Sequence, residues 1–85
     1  MTTIEALKKN FALATDFNVF VCKHPSVMKK VPHDAKIVFM TSGNSKINTY
    51  NLKLGEDIIC DEKLPVYKAI KEKHAWKVEK LAPAC

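Results

Sequence analysis

The sequence contains no arginine and only two glycines, and both absences narrow the possible functions. All fourteen basic residues are lysines. Arginine carries the planar guanidinium that binds phosphates and guanine edges through two parallel hydrogen bonds, whereas lysine is a hydrated point charge. The composition therefore counts against a sequence-specific nucleic-acid-binding protein. Gly43 and Gly55 stand alone, so no Gly-rich nucleotide-binding loop is present.

Cysteines are also scarce, and their pattern does not suggest a metal site. The three cysteines are odd in number and widely spaced, which counts against a disulfide framework. Cys22, His24 and His33 are near one another, but structural zinc sites use paired ligands in each half, and Cys60 and Cys85 stand alone. Cys22 falls on the apolar side of a predicted helix. His24 falls at the C-terminal end of that helix, where an imidazolium interacts favourably with the helix dipole. We therefore expect a buried Cys22, a capping His24, no metal ion and no cofactor.

Long apolar runs are missing as well. No run approaches the roughly 20 residues of a membrane helix, so we expect a cytoplasmic protein without a membrane partner. The apolar fraction of 47% is typical of a globular chain, and 85 residues predict a single domain, 1–85. No catalytic signature surrounds the cysteines or histidines, and no carboxylates pair on an apolar face. We therefore expect no enzymatic activity.

The strongest strand signal is the apolar run Lys36–Met40, which turn-forming residues follow. A continuous run, rather than an alternating one, predicts a strand covered on both faces at the middle of a sheet. The whole pattern predicts a small two-layer α/β domain with a parallel βαβ unit and a C-terminal hairpin, in the order α–α(short)–β–α–β–β. A C-terminal helix over residues 66–81 is the alternative, although Lys73 and Lys77 would interrupt its apolar stripe. The predicted elements are helices at 3–23, 26–30 and 45–61 and strands at 36–40, 66–70 and 76–79.

A set of core and turn positions forms a recognisable pattern along nearly the whole chain. Its members are Asn10-Phe11, Phe17, Phe20-Val21, His24-Pro25, Val31-Pro32, Ala35–Phe39, Tyr50–Leu54 and Pro65–Tyr67. The pattern resembles that of a family of short prokaryotic proteins of unknown function. The resemblance implies a shared fold, but no activity and no catalytic residues.

The main helices carry more apolar surface than one sheet can cover. At 100° per residue, Ile4, Leu7 and Phe11 share one side of the first helix with Cys22, and further apolar residues widen the arc to roughly 200°. We expect this surplus to be buried by a homodimer, because one patch then serves both subunits, or by another protein. The residues expected at that interface are Phe17, Phe20, Leu52 and Ile59.

Two other surfaces are candidate sites. The loop after the first strand precedes a helix N-terminus, where α/β sheets bind anions and other small ligands, although a plain turn with an N-cap is the interpretation we favour. The C-terminal lysines, with Trp76 and Tyr67 as aromatic stacking groups, are typical of weak nucleic-acid binding. Asn10, Asn18 and Asn51 fall within apolar arcs and either bond one another or the backbone, or line a pocket or interface. The candidate ligand residues are Thr41, Ser42, Gly43, Asn44, Ser45 and Lys46, and the candidate nucleic-acid residues are Lys68, Lys71, Lys73, Trp76 and Lys77.

Overall fold

The structure, a computed structural model, describes residues 2–82. Two helices and a three-stranded sheet follow the predicted order. Within the described residues, no helix has both the length and the apolar character needed to cross a membrane. The elements are α1 (Thr3–Lys23), a 3₁₀ turn (Pro25–Met28), β1 (Lys36–Thr41), α2 (Ser45–Asp57), a π-helical turn (Ile58–Glu62), β2 (Val66–Glu72) and β3 (Ala75–Lys80).

Both helices begin at side chains that accept hydrogen bonds from the first turn. Thr2 Oγ1 accepts from the Glu5 backbone N–H at 3.1 Å, and the Glu5 carboxylate accepts from the Thr2 N–H in return. Asn44 Oδ1 accepts from the Ile47 N–H at 3.2 Å. Both helices start at the predicted residues, but α2 passes into the π-helical turn four residues before its expected end at residue 61.

The sheet order is β1-β2-β3. β1 and β2 are parallel, and β2 and β3 form an antiparallel hairpin. The parallel unit and the C-terminal hairpin are therefore confirmed, and the helical alternative for residues 66–81 is wrong. The predicted position of β1 at the middle of the sheet is also wrong, because β1 lies at an edge and β2 at the centre.

The two helices pack on opposite faces of the sheet, so the domain has three layers and not the predicted two. Side chains alternate between the faces along each strand. Phe39, Ala69 and Val78 pair across the three strands, and their face contacts Phe17 of α1. Val38 points to the other face, where its cluster includes Leu52 of α2 and two isoleucines of the π-helical turn, Ile58 and Ile59. β1 is thus covered on both faces, which explains its continuous apolar run.

Two asparagines of α2 close the open edge of β1. Asn48 Nδ2 donates to the Thr41 carbonyl at 2.8 Å, and Asn48 Oδ1 accepts from the Thr41 N–H at 2.9 Å. Asn51 Nδ2 donates to the Phe39 carbonyl at 2.7 Å. An edge strand otherwise leaves such groups free to pair with another chain. Helix α2 therefore blocks β1 as a site of strand addition.

Candidate functional site

The largest exposed apolar side chains of α1 form one stripe on its outward side. Ile4, Leu7 and Phe11 are 67%, 65% and 76% exposed. Their spacing of three and four residues places them along one side of the helix, as in helices that pair with another helix. We call these three residues the outer stripe. They provide an apolar surface that no described residue of the chain covers.

The residues predicted for the interface lie instead against the chain's own core. Phe17 is 3% exposed, and its ring meets the rings of Phe39 and Trp76 edge-on at centroid distances of 5.7 and 5.1 Å. Phe20 is half-buried against the same cluster. Phe17 is therefore removed from any surface between copies, because the sheet already buries it.

Leu52 and Ile59 of the predicted interface are half-buried on the opposite face of the sheet. Both pack against the cluster that contains Val38 and Val66. The sheet therefore covers much of the apolar surface that the sequence analysis assigned to an interface, because each face of the sheet packs against its own helix.

The second surface feature is a concave region between the end of α1 and the β2–β3 turn. It has a volume of about 370 Å³ and an apolar floor of Phe20 and Trp76. Basic side chains dominate its walls. We call it the basic hollow, and its other lining residues are Asp16, Val19, Lys23, His24, Lys71, Lys73 and His74.

Asp16 is the acidic residue of the basic hollow, and its carboxylate is already bound. Its Oδ2 accepts from Lys71 Nζ at 2.7 Å and from Trp76 Nε1 at 3.3 Å. The hydrogen bond and charge of Lys71, together with the Trp76 N–H, hold the pKa of Asp16 below its ordinary value. Asp16 therefore stays ionised near neutral pH and offsets the charge of Lys71, not that of the other lysines.

The lysines predicted to bind nucleic acid are divided between the two faces of the hairpin. Lys71 and Lys73 line the basic hollow. Lys68 and Lys77 lie on the other face, where both form ion pairs with Glu79 at 3.7 and 3.0 Å. A single contiguous lysine surface over all four is therefore excluded by the alternation of side chains along the strands.

Trp76 cannot serve as the stacking group that the sequence suggested. Trp76 is only 6% exposed, and its ring contacts the rings of Phe17 and Phe39 edge-on. Base stacking needs an accessible ring face. This part of the nucleic-acid prediction is wrong because the indole is a core residue.

The loop at residues 41–46 uses much of its polar capacity internally. The Thr41 N–H and carbonyl bond to Asn48, and the Asn44 side chain caps α2. Gly43 adopts a φ of 86°, which a glycine accepts without strain. Ser42, Ser45 and Lys46 are exposed. The loop follows an edge strand, so it does not lie in a crevice between two parallel strands, and its geometry agrees with a turn and a cap.

Two of the three asparagines within apolar arcs bond one another. Asn10 Nδ2 donates to Asn51 Oδ1 at 2.9 Å, and Asn51 Nδ2 donates to Asn10 Oδ1 at 2.7 Å. Asn51 is 1% exposed. This reciprocal pair joins α1 to α2 beside the β1 edge. Asn18 is exposed, so it has no place in that contact.

The cysteines differ from the expectation. Cys22 is exposed and carries a free thiol, so its predicted burial is wrong. Cys60 is disulfide-bonded, contrary to the expectation drawn from the odd number and wide spacing of the cysteines. Cys85 lies outside the described residues. His24 stacks on Phe20 with ring centroids 4.6 Å apart, and its backbone N–H, not its side chain, donates to the Phe20 carbonyl as α1 ends.

The model of a protein family of unknown function, DUF5647, matches residues 5–82. The chain belongs to this family. No curated protein and no solved structure matches the chain. Membership in DUF5647 confirms the resemblance to a family of unknown function, and the prokaryotic source and cytoplasmic location remain predictions.

Sequence reasoning missed two sets of surface residues in this DUF5647 member. Lys23, His24 and His74 join the basic hollow because the β2–β3 turn lies beside the end of α1, and no short-range pattern signals that contact. The outer stripe did have a signal, its heptad-like spacing, but that signal does not say which apolar side of α1 faces the sheet.

Proposed function

We propose that the protein is a non-enzymatic interaction domain that forms a homodimer through the outer stripe of α1. The supporting observation is the exposure of Ile4, Leu7 and Phe11, each about two-thirds or more open to solvent. Burying a side chain of this size contributes about 1.5–3 kcal/mol. The three together provide a driving force that the isolated chain leaves unused.

A second copy of α1 is the occupant that best suits this stripe. Helix pairing needs apolar residues at a spacing of three and four, and Ala14 extends the pattern by one further position. The positions that flank the stripe, Thr3, Lys8, Asn10 and Thr15, include a single charged residue. Two copies related by a twofold axis can therefore approach with little repulsion between like charges.

Light scattering tests the proposal directly. Between about 1 µM and 1 mM protein, the parent mass should rise towards twice the 9.6 kDa of the chain. Phe11→Glu should hold the mass at that of one chain, because a carboxylate would lie in the apolar contact. Circular dichroism should report an unchanged fold, since Phe11 contributes little to the core.

Val19→Glu is the matched control. Val19 lies on the same helix and is 52% exposed, but its position is outside the outer stripe. This variant should associate as the parent does. A parent that stays monomeric throughout the concentration range, or a Phe11→Glu variant that still doubles its mass, would overturn the proposal.

A further inference from the structure

The basic hollow carries more positive charge than its own acidic residue offsets. Lys71 is bound to Asp16 at 2.7 Å. Lys23 and Lys73 form no ion pair with any of residues 2–82. Both line the same concavity as His24 and His74. Lys23 reaches it from the end of α1, and Lys73 reaches it from the hairpin turn.

The floor of the hollow is held in place by core contacts. Trp76 forms part of the floor, and its Nε1 donates to Asp16 at 3.3 Å while its ring packs on Phe17. His24 is stacked on Phe20 with ring centroids 4.6 Å apart. Basic groups on such a rigid floor lose less freedom when they bind an anion than the same groups on a mobile tail.

The hairpin turn gives Lys73 an unusual backbone conformation. Its φ is 52°, in the left-handed region where glycine or asparagine is favoured. A two-residue turn between β2 and β3 would accept glycine there more readily. The lysine that occupies this position brings an ammonium group to the rim of the hollow.

The character of the walls indicates what the hollow would bind. Its volume of about 370 Å³ is near the lower end for small-molecule sites. Lysine binds phosphate as a point charge without the directional fork of arginine. Val19, 52% exposed, adds an apolar wall beside the basic groups.

The last carbonyls of α1 point towards this end of the helix and disfavour an anion. The His24 backbone N–H donates a hydrogen bond to one of these carbonyls, that of Phe20, at 2.8 Å. Lys23 lies in the last turn and opposes the remaining negative potential. The positive charge of the hollow therefore comes from its side chains and not from the backbone of α1.

We propose that the basic hollow binds a small organic phosphate, with the phosphate held between Lys23 and Lys73 and the organic group against Val19. This site is separate from the outer stripe and does not depend on dimer formation. It differs from a nucleic-acid surface because Lys68 and Lys77 lie on the opposite face of the hairpin.

An NMR titration with adenosine monophosphate as the probe tests the site, because the chain has three histidines that report separately. The imidazole resonances of His24 and His74 should shift, whereas those of His33, which does not line the hollow, should not. Adenosine alone should give no such shift, since it lacks the phosphate. Equal shifts at all three histidines, or none at millimolar probe, would overturn the proposal.

Two double variants with the same change in net charge locate the binding. Lys23→Gln with Lys73→Gln should weaken binding at least about tenfold through the loss of two charged donors. Lys68→Gln with Lys77→Gln is the matched control and should change affinity by less than about twofold. Equal losses in both variants would mean general charge attraction. Binding of a single-stranded oligonucleotide without binding of adenosine monophosphate would assign the surface to nucleic acid instead.

Discussion

Phe11 and Phe17 lie six residues apart on the same helix and have opposite environments. Phe11 is 76% exposed on the outer stripe, and Phe17 is 3% exposed between Phe39 and Trp76. From the sequence, the side of Phe11 looked like the face that packs on the sheet, and Phe17 looked like the surplus. The structure reverses these two roles.

This difference shows that a broad apolar arc on a helix does not reveal which part of the arc packs against the sheet. An arc of roughly 200° leaves a wide choice of rotations about the helix axis. The rotation is set by partners remote in sequence: the aromatic pair on the sheet for Phe17, and Asn51 of α2 for Asn10. The apolar residues of the arc that do not face the sheet then form the outer stripe.

The sharpest way to break this comparison is to truncate each phenylalanine in turn. Phe17→Ala should lower the free energy of unfolding by about 3–5 kcal/mol, because it leaves a cavity between Phe39 and Trp76. Phe11→Ala should lower it by no more than about 0.5 kcal/mol at protein concentrations where the chain is monomeric. Urea denaturation gives both values, and similar losses in the two variants would contradict the assigned faces.

The same comparison extends to two asparagines of α1. Asn10→Ala removes the donor to Asn51 Oδ1, an acceptor in a residue 1% exposed. Leaving that oxygen unpaired should cost about 1–3 kcal/mol. Asn18→Ala changes an exposed position and should cost no more than about 0.5 kcal/mol. If the two variants unfold at the same urea concentration, the link between α1 and α2 does not stabilise the fold.

The smallest effect on the free energy of unfolding is expected at Asp16, which lies on α1 between the side of Phe11 and the side of Phe17. Its pKa is lowered in the folded chain, so its contribution to stability is present above the ordinary carboxyl value and is lost as pH falls through the folded value. Because the pair with Lys71 is about half exposed, Asp16→Asn should cost only about 0.2–1 kcal/mol at pH 7.

That cost should shrink as pH falls through the lowered pKa of Asp16 in the folded chain, because the parent carboxyl then becomes protonated and loses its ion pair with Lys71. Asp34→Asn removes an exposed carboxyl that forms no ion pair with residues 2–82, so it is the control and should lower the free energy of unfolding at pH 7 by less than Asp16→Asn does. A loss from Asp16→Asn that persists undiminished at low pH would mean that the ion pair is not its cause.

Local patterns were sufficient for the element order, the parallel unit and the hairpin. The run Ile37–Met40 and the alternation around Trp76 each depend on neighbours within a few residues. The position of β1 at an edge was not accessible in this way. Its continuous apolar run reflects coverage on both faces, and Asn48 and Asn51 of a later helix complete the edge.

The candidate surfaces were harder to predict for the same physical reason. Lys71 and Lys73 were identified from composition, but their separation from Lys68 and Lys77 follows from strand pairing and not from local sequence. The contribution of Lys23 to the basic hollow requires the contact between the end of α1 and the hairpin turn. Such contacts join residues about fifty positions apart, beyond the range of periodicity arguments.

The central claim is that the outer side of α1, and not the side of Phe17, is the surface through which two chains meet. An isotope-filtered NOE experiment on a mixture of labelled and unlabelled chains measures this directly. The account predicts intermolecular cross-peaks between the Phe11 ring and the methyl groups of Ile4 or Leu7, with none from Phe17. Intermolecular cross-peaks confined to Leu52 and Ile59, or no intermolecular cross-peaks at millimolar protein, would contradict it.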